Sequence, residues 1–397
     1  MTLTPPSTPK TVLPGPAPLF ARDQILDGHY RIVDVLAAGG MGEVYVAAHL
    51  RLPRKLAIKT LHPEFAHRHE WVARFCREAC VLAQLRHPNI VQVLDFNVAP
   101  GGVPYIAMEL CEGVDLRGEL DRGRRFEITE IVSIARQVAS ALDAAHAAGV
   151  VHRDLKPENV VLTPAAGQLP VVKVIDFGLS LAGWSERVTG DCTVFGTPDY
   201  MSPEQAQGLR GLIDARTDQF ALAALTYTLL SGRPPFSRDT PVAVLYAVVH
   251  EDAPPLGEVE GWDARPVERV LRKGLARERD DRYRSVLDFT DALEAALIEG
   301  GALPKPATPV LLPRLPASDD AQTRARAPSK ARTRRSTQLT LRRGVPMLLV
   351  SALVAGALWG PLGHGTVGAR WRHLQGMIAE RVAQPLAKPA AAPPGGP

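Results

Sequence analysis

The sequence predicts an α+β fold made of two lobes, followed by one transmembrane helix. Three observations support this prediction. Short runs rich in β-branched residues crowd the stretch before Glu112, helical periods dominate after it, and one apolar segment near the C-terminus carries no charge. A β-rich half that precedes an α-rich half is typical of an α+β fold with two lobes.

The composition is that of a mainly globular protein. The chain has 397 residues, 46% hydrophobic and 22% charged, which is enough for two domains or one large bilobal domain. The net charge of +4 becomes informative only by position, because eight basic residues lie between residues 324 and 343. We interpret that run as a solvated linker, and we expect no nucleic-acid partner.

The cysteines indicate a reducing compartment. The four cysteines form no Cys-x-x-Cys pair and no disulfide-like spacing, so we expect free thiols. The N-terminus lacks a charged region followed by an apolar one, and therefore no signal peptide is predicted.

The pattern divides the chain into five segments. Residues 1–27 are a Pro-rich leader that we expect to be disordered. Residues 28–298 form the folded domain, with an N-lobe at 28–111 and a C-lobe at 112–298. Residues 299–343 are a Pro/Arg-rich juxtamembrane linker, 344–363 the transmembrane helix, and 364–397 a short extracytoplasmic tail.

The elements of each lobe follow from local periodicity. In the N-lobe, strands are expected at 30–36, 44–46, 56–61, 90–94 and 105–108, with a helix at 67–86 that Pro88 prevents from continuing. In the C-lobe, a helix at 128–148 ends at Gly149. A nearly all-apolar run at 218–230 is too short to span a bilayer and predicts a buried core helix.

The N-lobe contains three features that suit phosphate binding. Gly39, Gly40 and Gly42 lie between two strands, where backbone N–H groups can approach phosphate oxygens. Lys59 on the next strand could reach the same phosphates, although glycine-rich turns and strand lysines are common without any such role. Glu78 lies on the apolar stripe of its helix and needs a partner, either Lys59 or Arg74 on the same helix.

The decisive motif lies in the C-lobe. His152-Arg153-Asp154-Leu155-Lys156-Pro157-Glu158-Asn159 is followed by Asp176-Phe177-Gly178, and both stretches adjoin short apolar runs. Acids, an amide and a lysine on loops held by buried strands are typical of a catalytic site. Phosphoryl transfer needs such groups: metal ligands, a cation on the phosphates and a carboxylate near the attacking hydroxyl.

The chain resembles the eukaryotic-like (Hanks-type) serine/threonine protein kinases of bacteria over about residues 28–298, and the resemblance implies the bilobal protein-kinase fold. It implies that Asp154 takes or orients the proton of the substrate hydroxyl and that Lys156 steadies the γ-phosphate of ATP. Asn159 and Asp176 would hold Mg²⁺, with Mn²⁺ as an alternative, and Lys59 paired with Glu78 would bind the α/β-phosphates.

The resemblance also assigns the nucleotide pocket. The positions that would contact ATP are Leu36, Gly39, Gly42, Val44, Ala57, Lys59, Glu78, Glu109, Cys111 and Val161. Val44, Ala57 and Val161 would sandwich the adenine, and the backbone of Glu109 and Cys111 would hydrogen-bond its edge. Leu82, Leu94, His152 and Phe177 match the stacked regulatory residues of the family.

Further matches concern the substrate and regulation. The segment 196–205, with Thr197, resembles the one that receives a peptide substrate, and Lys156 with Thr197 fits the serine/threonine subclass. Glu204 should pair with Arg282, and Asp218 should brace the catalytic loop. Arg153 beside the base suggests control by phosphorylation of the activation loop, at Thr189 or Thr193.

Two residues, one in that loop and one in the nucleotide hairpin, depart from the family's usual pattern. Asp191 lies between the two threonines and is either a solvated acid or a weak constitutive negative charge. Ala37 stands where the family's glycine motif begins, and its methyl is tolerable if φ there is negative. We expect Ala37 to weaken ATP binding modestly without abolishing function.

The C-terminal segment predicts a single-pass membrane protein with a cytoplasmic kinase domain. Residues 344–369 contain no Asp, Glu, Lys or Arg, and 345–362 are long enough to cross about 30 Å of hydrocarbon. The basic run before them fits the positive-inside rule. An Ala/Gly-rich linker and an interfacial helix are the alternatives.

Three functional hypotheses follow. The first is an active kinase whose partners are ATP, protein substrates, the inner membrane and a second copy of the chain for autophosphorylation. The second is a pseudokinase that binds nucleotide or partners without transfer, which Ala37 alone favours. The third is a small-molecule kinase, which the peptide-binding segment at 196–204 disfavours.

Overall fold

The computed structural model describes residues 18–304, except 40–41, 67, 100, 166–168, 178–197 and 258–260. Within helices, the side chains of residues 63, 69, 70, 74, 77 and 78 are also outside the described part. The described residues form the two lobes that the sequence predicts, a β-rich one followed by a helical one.

The N-lobe is built on a six-stranded antiparallel sheet in the order β1-β2-β3-β4-β6-β5. Its strands are β1 (Ile25–Leu26), β2 (Tyr30–Gly39), β3 (Gly42–His49), β4 (Lys55–Thr60), β5 (Val93–Val98) and β6 (Pro104–Glu109). Val44 pairs with Lys59 across β3 and β4, and Ala57 pairs with Met108 across β4 and β6. This register aligns the predicted nucleotide-binding positions on neighbouring strands.

Two helices complete the N-lobe: α1 (Pro63–Ala66) and α2 (His69–Leu82). The second is shorter than the predicted helix at 67–86, because turn-type hydrogen bonds from Gln84 to Val81 and from Leu85 to Leu82 replace the helical pattern. The predicted strand at 90–94 is displaced as well. β5 begins at Val93, and Ile90 forms only an isolated parallel bridge with Val174 of the C-lobe.

Residues 18–27 fold onto the N-lobe, which corrects the predicted boundary of the disordered leader at residue 27. Phe20 is only 3% exposed and packs with Tyr45 and Leu26 in the core on one face of the sheet. β1 lies in this segment and pairs with the start of β2. The sequence does not reveal this, because one aromatic residue and three leucine or isoleucine residues, at positions 19, 25 and 26, give no periodicity.

The C-lobe combines a small sheet with helices. The sheet is β7 (Val114–Asp115), β8 (Val160–Thr163) and β9 (Val171–Val174), in that order. The described helices are α3 (Leu116–Asp121), α4 (Ile128–Ala147), α5 (Pro203–Ala206), α6 (Ala215–Ser231), α7 (Pro241–His250), α8 (Arg265–Gly274) and α9 (Val286–Glu299). Short 3₁₀ turns occur at 157–159, 198–200, 210–212 and 279–281.

Helix α6 is the buried core helix that the sequence predicts. Every residue from Thr217 to Leu229 is buried, on all faces of the helix. It ends at Gly232, whose φ of +82° closes the helix in the left-handed conformation that glycine adopts without cost. Because it is buried on all faces, this helix is a rigid element of the C-lobe that can hold the catalytic loop in place.

Between residues 18 and 304, outside the gaps given above, no helix is both long and apolar enough to cross a bilayer. The predicted transmembrane segment at 344–363, the linker before it and the tail after it lie outside the described residues.

Candidate active site

The catalytic motif forms a loop between α4 and β8. Arg153 on this loop has a φ of +67°, a conformation that costs a non-glycine residue free energy and is found preferentially at functional sites. A 3₁₀ turn over Pro157–Asn159 then leads into β8. The loop is therefore held in a conformation that it would not adopt by local preference.

Asp218 on α6 holds this conformation. Its carboxylate is fully buried and accepts the backbone N–H groups of His152 and Arg153, both at 2.7 Å. Nε2 of His146, on α4, lies 2.7 Å from the same carboxylate. The buried charge is thus hydrogen-bonded from three sides, which offsets its desolvation. The predicted bracing role of Asp218 agrees with these contacts.

The three predicted catalytic residues contact each other. Lys156 Nζ lies 2.9 Å from Asp154 Oδ2, and Asn159 Nδ2 donates to the Asp154 backbone oxygen at 2.7 Å and to its Oδ2 at 3.3 Å. Burial opposes the charge on Lys156, but the carboxylates of Asp154 and Glu158 outweigh it and raise the pKa of the ammonium. Lys156 therefore stays cationic beside the carboxylate of Asp154.

Asp176 lies two residues beyond the end of β9 and contacts the N-lobe. Its φ is +62°, and its Oδ1 lies 2.7 Å from Lys59 Nζ. Burial would favour the protonated acid, yet the Lys59 ammonium lowers the pKa of Asp176. The two predicted phosphate- and metal-binding side chains are thus brought together as an ion pair. Glu78 is on α2, but its side chain is not described, so its pairing with Lys59 stays a prediction.

The contact between His152 and Phe177 in the predicted regulatory stack is confirmed, whereas Leu94 does not share the burial of the other members. The rings of His152 and Phe177 are both fully buried, with centroids 4.5 Å apart. Leu82 is buried, but Leu94 is 37% exposed, while the preceding Val93 is 6% exposed. The register shift between Val93 and Asp95 leaves Leu94 without a register partner on β6, and its side chain lies on the exposed side of the strand.

The predicted adenine-binding side chains lie on three strands. Ala57 on β4 and Val161 on β8 are buried, and Val44 on β3 is partly exposed. Cys111 follows β6 at the junction of the lobes, where burial, aided by the Glu109 carboxylate, raises the pKa of its thiol to about 11. The thiol stays protonated at neutral pH, as expected of an unreactive cysteine.

Glu109 has a side-chain role that the sequence did not reveal. Its Oε1 accepts the backbone N–H of Gln92 at 2.8 Å and lies 2.7 Å from Lys173 Nζ on β9. The carboxylate therefore links the end of β6 to the strand that leads to Asp176. No local pattern could have predicted this contact, because the paired residues are 64 positions apart.

The nucleotide hairpin is β2 and β3, with Gly40 and Met41 outside the described residues. Leu36 and Gly39 are exposed, whereas a Cβ on Gly42 would overlap the Thr60 carbonyl oxygen. Ala37 pairs with Val44 in the extended strand and is not among the described residues with positive φ. Its methyl is thus compatible with the backbone, as the sequence analysis required.

The end of the substrate segment is anchored by a buried ion pair. Arg282 donates to both carboxylate oxygens of Glu204, at 2.9 and 2.8 Å, and Thr217 donates to Glu204 as well. Both side chains are buried, which confirms the predicted pairing. Thr189, Asp191, Thr193 and Thr197 lie outside the described residues, and their predicted roles stay predictions.

Two further supporting residues were missed. Gln205 Nε2 donates to the backbone oxygen of Arg153 at 2.7 Å and so ties the substrate segment to the catalytic loop. His146 contacts Asp218, as described above. The available signal for His146 was a polar residue on the inward side of α4, six positions before His152.

Comparison with known proteins agrees with this geometry. The protein kinase domain family matches residues 30–268. The chain is 40% identical to serine/threonine-protein kinase Pkn1 of Myxococcus xanthus over 273 residues, which covers 68% of this chain and 39% of Pkn1. It is 37% identical to serine/threonine-protein kinase PknB of Mycobacterium tuberculosis over 270 residues, covering 66% of this chain and 42% of PknB.

Solved structures show the same fold. The PknI kinase domain of Mycobacterium tuberculosis superposes with a TM-score of 0.55 at 32% identity, covering 70% of this chain and 99% of that domain. The chain spans about two fifths of the length of the curated relatives it matches. The fold, the catalytic loop and these similarities together show that the chain belongs to the protein kinase family, within its bacterial Hanks-type serine/threonine branch.

Proposed function

We propose that the chain is an ATP-dependent serine/threonine protein kinase, which transfers the γ-phosphate of ATP to serine or threonine hydroxyls of proteins. The observation that carries the proposal is the contact network of Asp154, Lys156 and Asn159 on a loop braced by Asp218. A carboxylate held beside a permanent cation suits a site that accepts a hydroxyl proton while negative charge develops on a phosphoryl group.

The residues present fit ATP with a divalent cation. Asp176 and Asn159 offer a carboxylate and an amide oxygen, which are hard ligands that Mg²⁺ prefers, and the backbone N–H of Ile175 donates to the Asn159 carbonyl at 3.0 Å. This hydrogen bond keeps the two ligand-bearing segments adjacent. Bound Mg²⁺ would neutralise phosphate charge, with Mn²⁺ as the alternative ion.

Each residue of the candidate site then has a defined role in the reaction. Lys59 binds the α/β-phosphates and in their absence pairs with Asp176. Lys156 stabilises charge on the transferred group, and Asp154 orients the substrate hydroxyl and receives its proton. Val44, Ala57 and Val161 enclose the adenine from strands of both lobes. A pseudokinase would not need this complete set.

The deciding experiment is phosphate transfer by the full chain with Mg²⁺ and γ-labelled ATP, compared with Asp154→Asn. General acid–base groups contribute about 10²- to 10⁴-fold, so the variant should lose activity by that factor while still binding ATP. Asp121→Asn on exposed α3 is the matched control and should behave as wild type. Label on serine or threonine supports the proposal; ATP binding without any transfer would indicate a pseudokinase.

We further propose control by phosphorylation of Thr189 or Thr193, with Arg153 as the receptor of the phosphate. Support comes from Arg153 Nε, which is buried and has no hydrogen-bond partner within the described part of the chain. A buried guanidinium donor is suited to an incoming phosphate. Autophosphorylation between two copies should give a rate that rises with the square of enzyme concentration, and should disappear in the Thr189→Ala, Thr193→Ala double variant.

Membrane anchoring through residues 344–363 is likewise a proposal. It is supported by the absence of charge from 344 to 369 and by the basic run before this segment. Full-length chain should pellet with membranes and resist carbonate extraction, while a chain ending at residue 343 should not. Release of the full-length chain by carbonate would support the linker or interfacial alternatives.

A further inference from the structure

We propose that the N-terminal strap, residues 18–27, sets the position of the nucleotide hairpin and thereby the affinity for ATP. Glu43 is the positioning residue through which it acts. This inference rests on the proposed function and adds to it a determinant of nucleotide binding outside the catalytic motifs at 152–159 and 176–178. It starts from a carboxylate that lies next to the last glycine of the hairpin and that contacts the strap.

The strap is an integral part of the lobe. The backbone N–H of Asp23 donates to the Ile32 oxygen, and that of Ile32 donates to the Gln24 oxygen, both at 2.9 Å. The Phe20 ring lies 5.4 Å from the ring of Tyr45 on β3 and is almost wholly removed from water. Burial of this apolar ring stabilises the strap against the sheet.

The strap holds the side chain of Glu43 directly. The backbone N–H of Leu19 donates to Glu43 Oε2 at 2.9 Å, and the Tyr45 hydroxyl donates to the same oxygen. The Tyr45 hydroxyl in turn accepts the backbone N–H of Phe20 at 2.9 Å. The backbone N–H groups of two consecutive strap residues are thus hydrogen-bonded to Glu43, that of Leu19 directly and that of Phe20 through the Tyr45 hydroxyl.

The main chain of Glu43 is fixed from the opposite side. Thr60 Oγ1 accepts the Glu43 N–H at 3.1 Å and lies 3.2 Å from the Glu43 carbonyl oxygen, to which it donates. Thr60 is 1% exposed, and Gly42 packs directly on its carbonyl. Glu43, the second residue of β3, is therefore held by both its side chain and its backbone.

The other arm of the hairpin lacks a comparable anchor in what the structure describes. Residues 34–39 of β2 are all exposed, and the pairing with β3 shifts register at Ile32/Asp34 and again at Val35/Ala37. The position of the hairpin over the nucleotide then depends chiefly on the β3 arm. Since the Asp154 network lies in the other lobe, loosening Glu43 should weaken ATP binding and leave the transfer step nearly unchanged.

The test compares two buried tyrosines in the full-length chain. Tyr45→Phe removes the hydroxyl that links Phe20 to Glu43. Tyr30→Phe, the matched control, removes a hydroxyl that donates to Asp95 at 3.0 Å in the same core but does not contact Glu43. The readouts are the dissociation constant of a fluorescent ATP analogue, KM for ATP, kcat and the melting temperature.

Tyr45→Phe should raise the dissociation constant and KM about 3- to 10-fold with kcat within a factor of two, because one hydrogen bond to a charged group is lost. Tyr30→Phe should lower the melting temperature similarly and change the affinity less than twofold. Equal affinities in the two variants would overturn the inference. A wild-type chain that binds no nucleotide would overturn the proposed function and this inference with it.

A second measurement separates the strap from a local effect of Tyr45. Removal of residues 1–20 should weaken nucleotide binding to a similar extent, and Tyr45→Phe in that shortened chain should weaken it no further. Such non-additivity is the sign of one shared interaction. Fully additive losses, or a shortened chain with wild-type affinity, would show that the strap does not act through Glu43.

Discussion

The catalytic loop of the C-lobe and the nucleotide hairpin of the N-lobe are held in opposite ways. The catalytic loop is fixed by the buried carboxylate of Asp218, by Gln205 and by contacts within the motif. The hairpin is exposed along β2 and anchored on β3, at Gly42 and Glu43. The catalytic loop is thus preorganised, whereas the nucleotide hairpin is restrained from one side.

This difference has a physical cause. Charged groups buried in the C-lobe lose solvation and must therefore have fixed partners, so their geometry is specified strongly. The hairpin is exposed to water, where its polar groups can be satisfied in several conformations. The comparison predicts large effects for changes in the buried network and graded ones for changes in the hairpin.

The largest effect is expected from the buried ion pair below the substrate segment. Glu204→Ala would leave the Arg282 guanidinium buried without its carboxylate, which should cost about 3–5 kcal/mol of unfolding free energy. Replacing both residues by Met should cost much less, since no unpaired charge remains. Urea denaturation measures both variants, and equal losses would show that the pair is not the source of the effect.

The same pair predicts an acid-sensitive component of stability. Burial favours protonated Glu204, but the hydrogen bonds and charge of Arg282 outweigh it and lower its pKa below the usual 4.5. A lowered folded-state pKa stabilises the fold above pH 4.5, and this contribution is lost as the pH falls through the folded-state value. Between pH 5 and 3, the unfolding free energy of the wild type should therefore fall more steeply than that of the double Met variant.

Asp218→Asn should have the next largest effect, and mainly on catalysis. An amide cannot accept both backbone N–H groups on two separate oxygens, so the loop loses about 2–3 kcal/mol of stabilisation. Displacement of Asp154 should lower kcat about 10²-fold, with ATP affinity nearly unchanged. Asp214→Asn, which alters the N-cap of the same helix, is the control and should leave kcat close to wild type.

Within the hairpin, two glycines should respond differently to the same methyl group. Gly42→Ala brings a Cβ into the Thr60 carbonyl and should cost about 1–3 kcal/mol and weaken ATP binding. Gly39→Ala meets no atom closer than 3.9 Å and should be nearly neutral. Thermal unfolding and nucleotide titration check the pair; a Gly39 variant as damaged as the Gly42 variant would mean that the exposed arm is also tightly restrained.

The smallest effect is expected at the junction of the lobes. Lys173→Met removes the ion pair with Glu109, whose side chains are 20% and 31% exposed, so solvent screening limits the loss to roughly 0.5 kcal/mol. Lys55→Met on the exposed end of β4 is the control. A loss above 2 kcal/mol would place this contact with the buried network and weaken the contrast between the regions.

The two regions were also predictable to different degrees. The motif from His152 to Asn159 and the Asp176 triplet were readable because chemistry requires those residue types within a short span. The contact of His152 with Phe177 followed from the resemblance, whereas the exposure of Leu94 was not predictable, because the register shift in β5 depends on its pairing with β6. The leader boundary was misplaced because residues 18–27 are ordered by the sheet beneath them.

The sequence by itself determined the two lobes, several of their main strands and helices and the short motifs of the candidate site, since these depend on local periodicity and on short-range chemistry. Only the tertiary structure decided which distant groups meet: Lys59 with Asp176, Glu109 with Lys173, and the strap with Glu43. These contacts join residues with no spacing rule between them. They are selected by burial, because a charge removed from water takes whatever partner the packing of the chain provides.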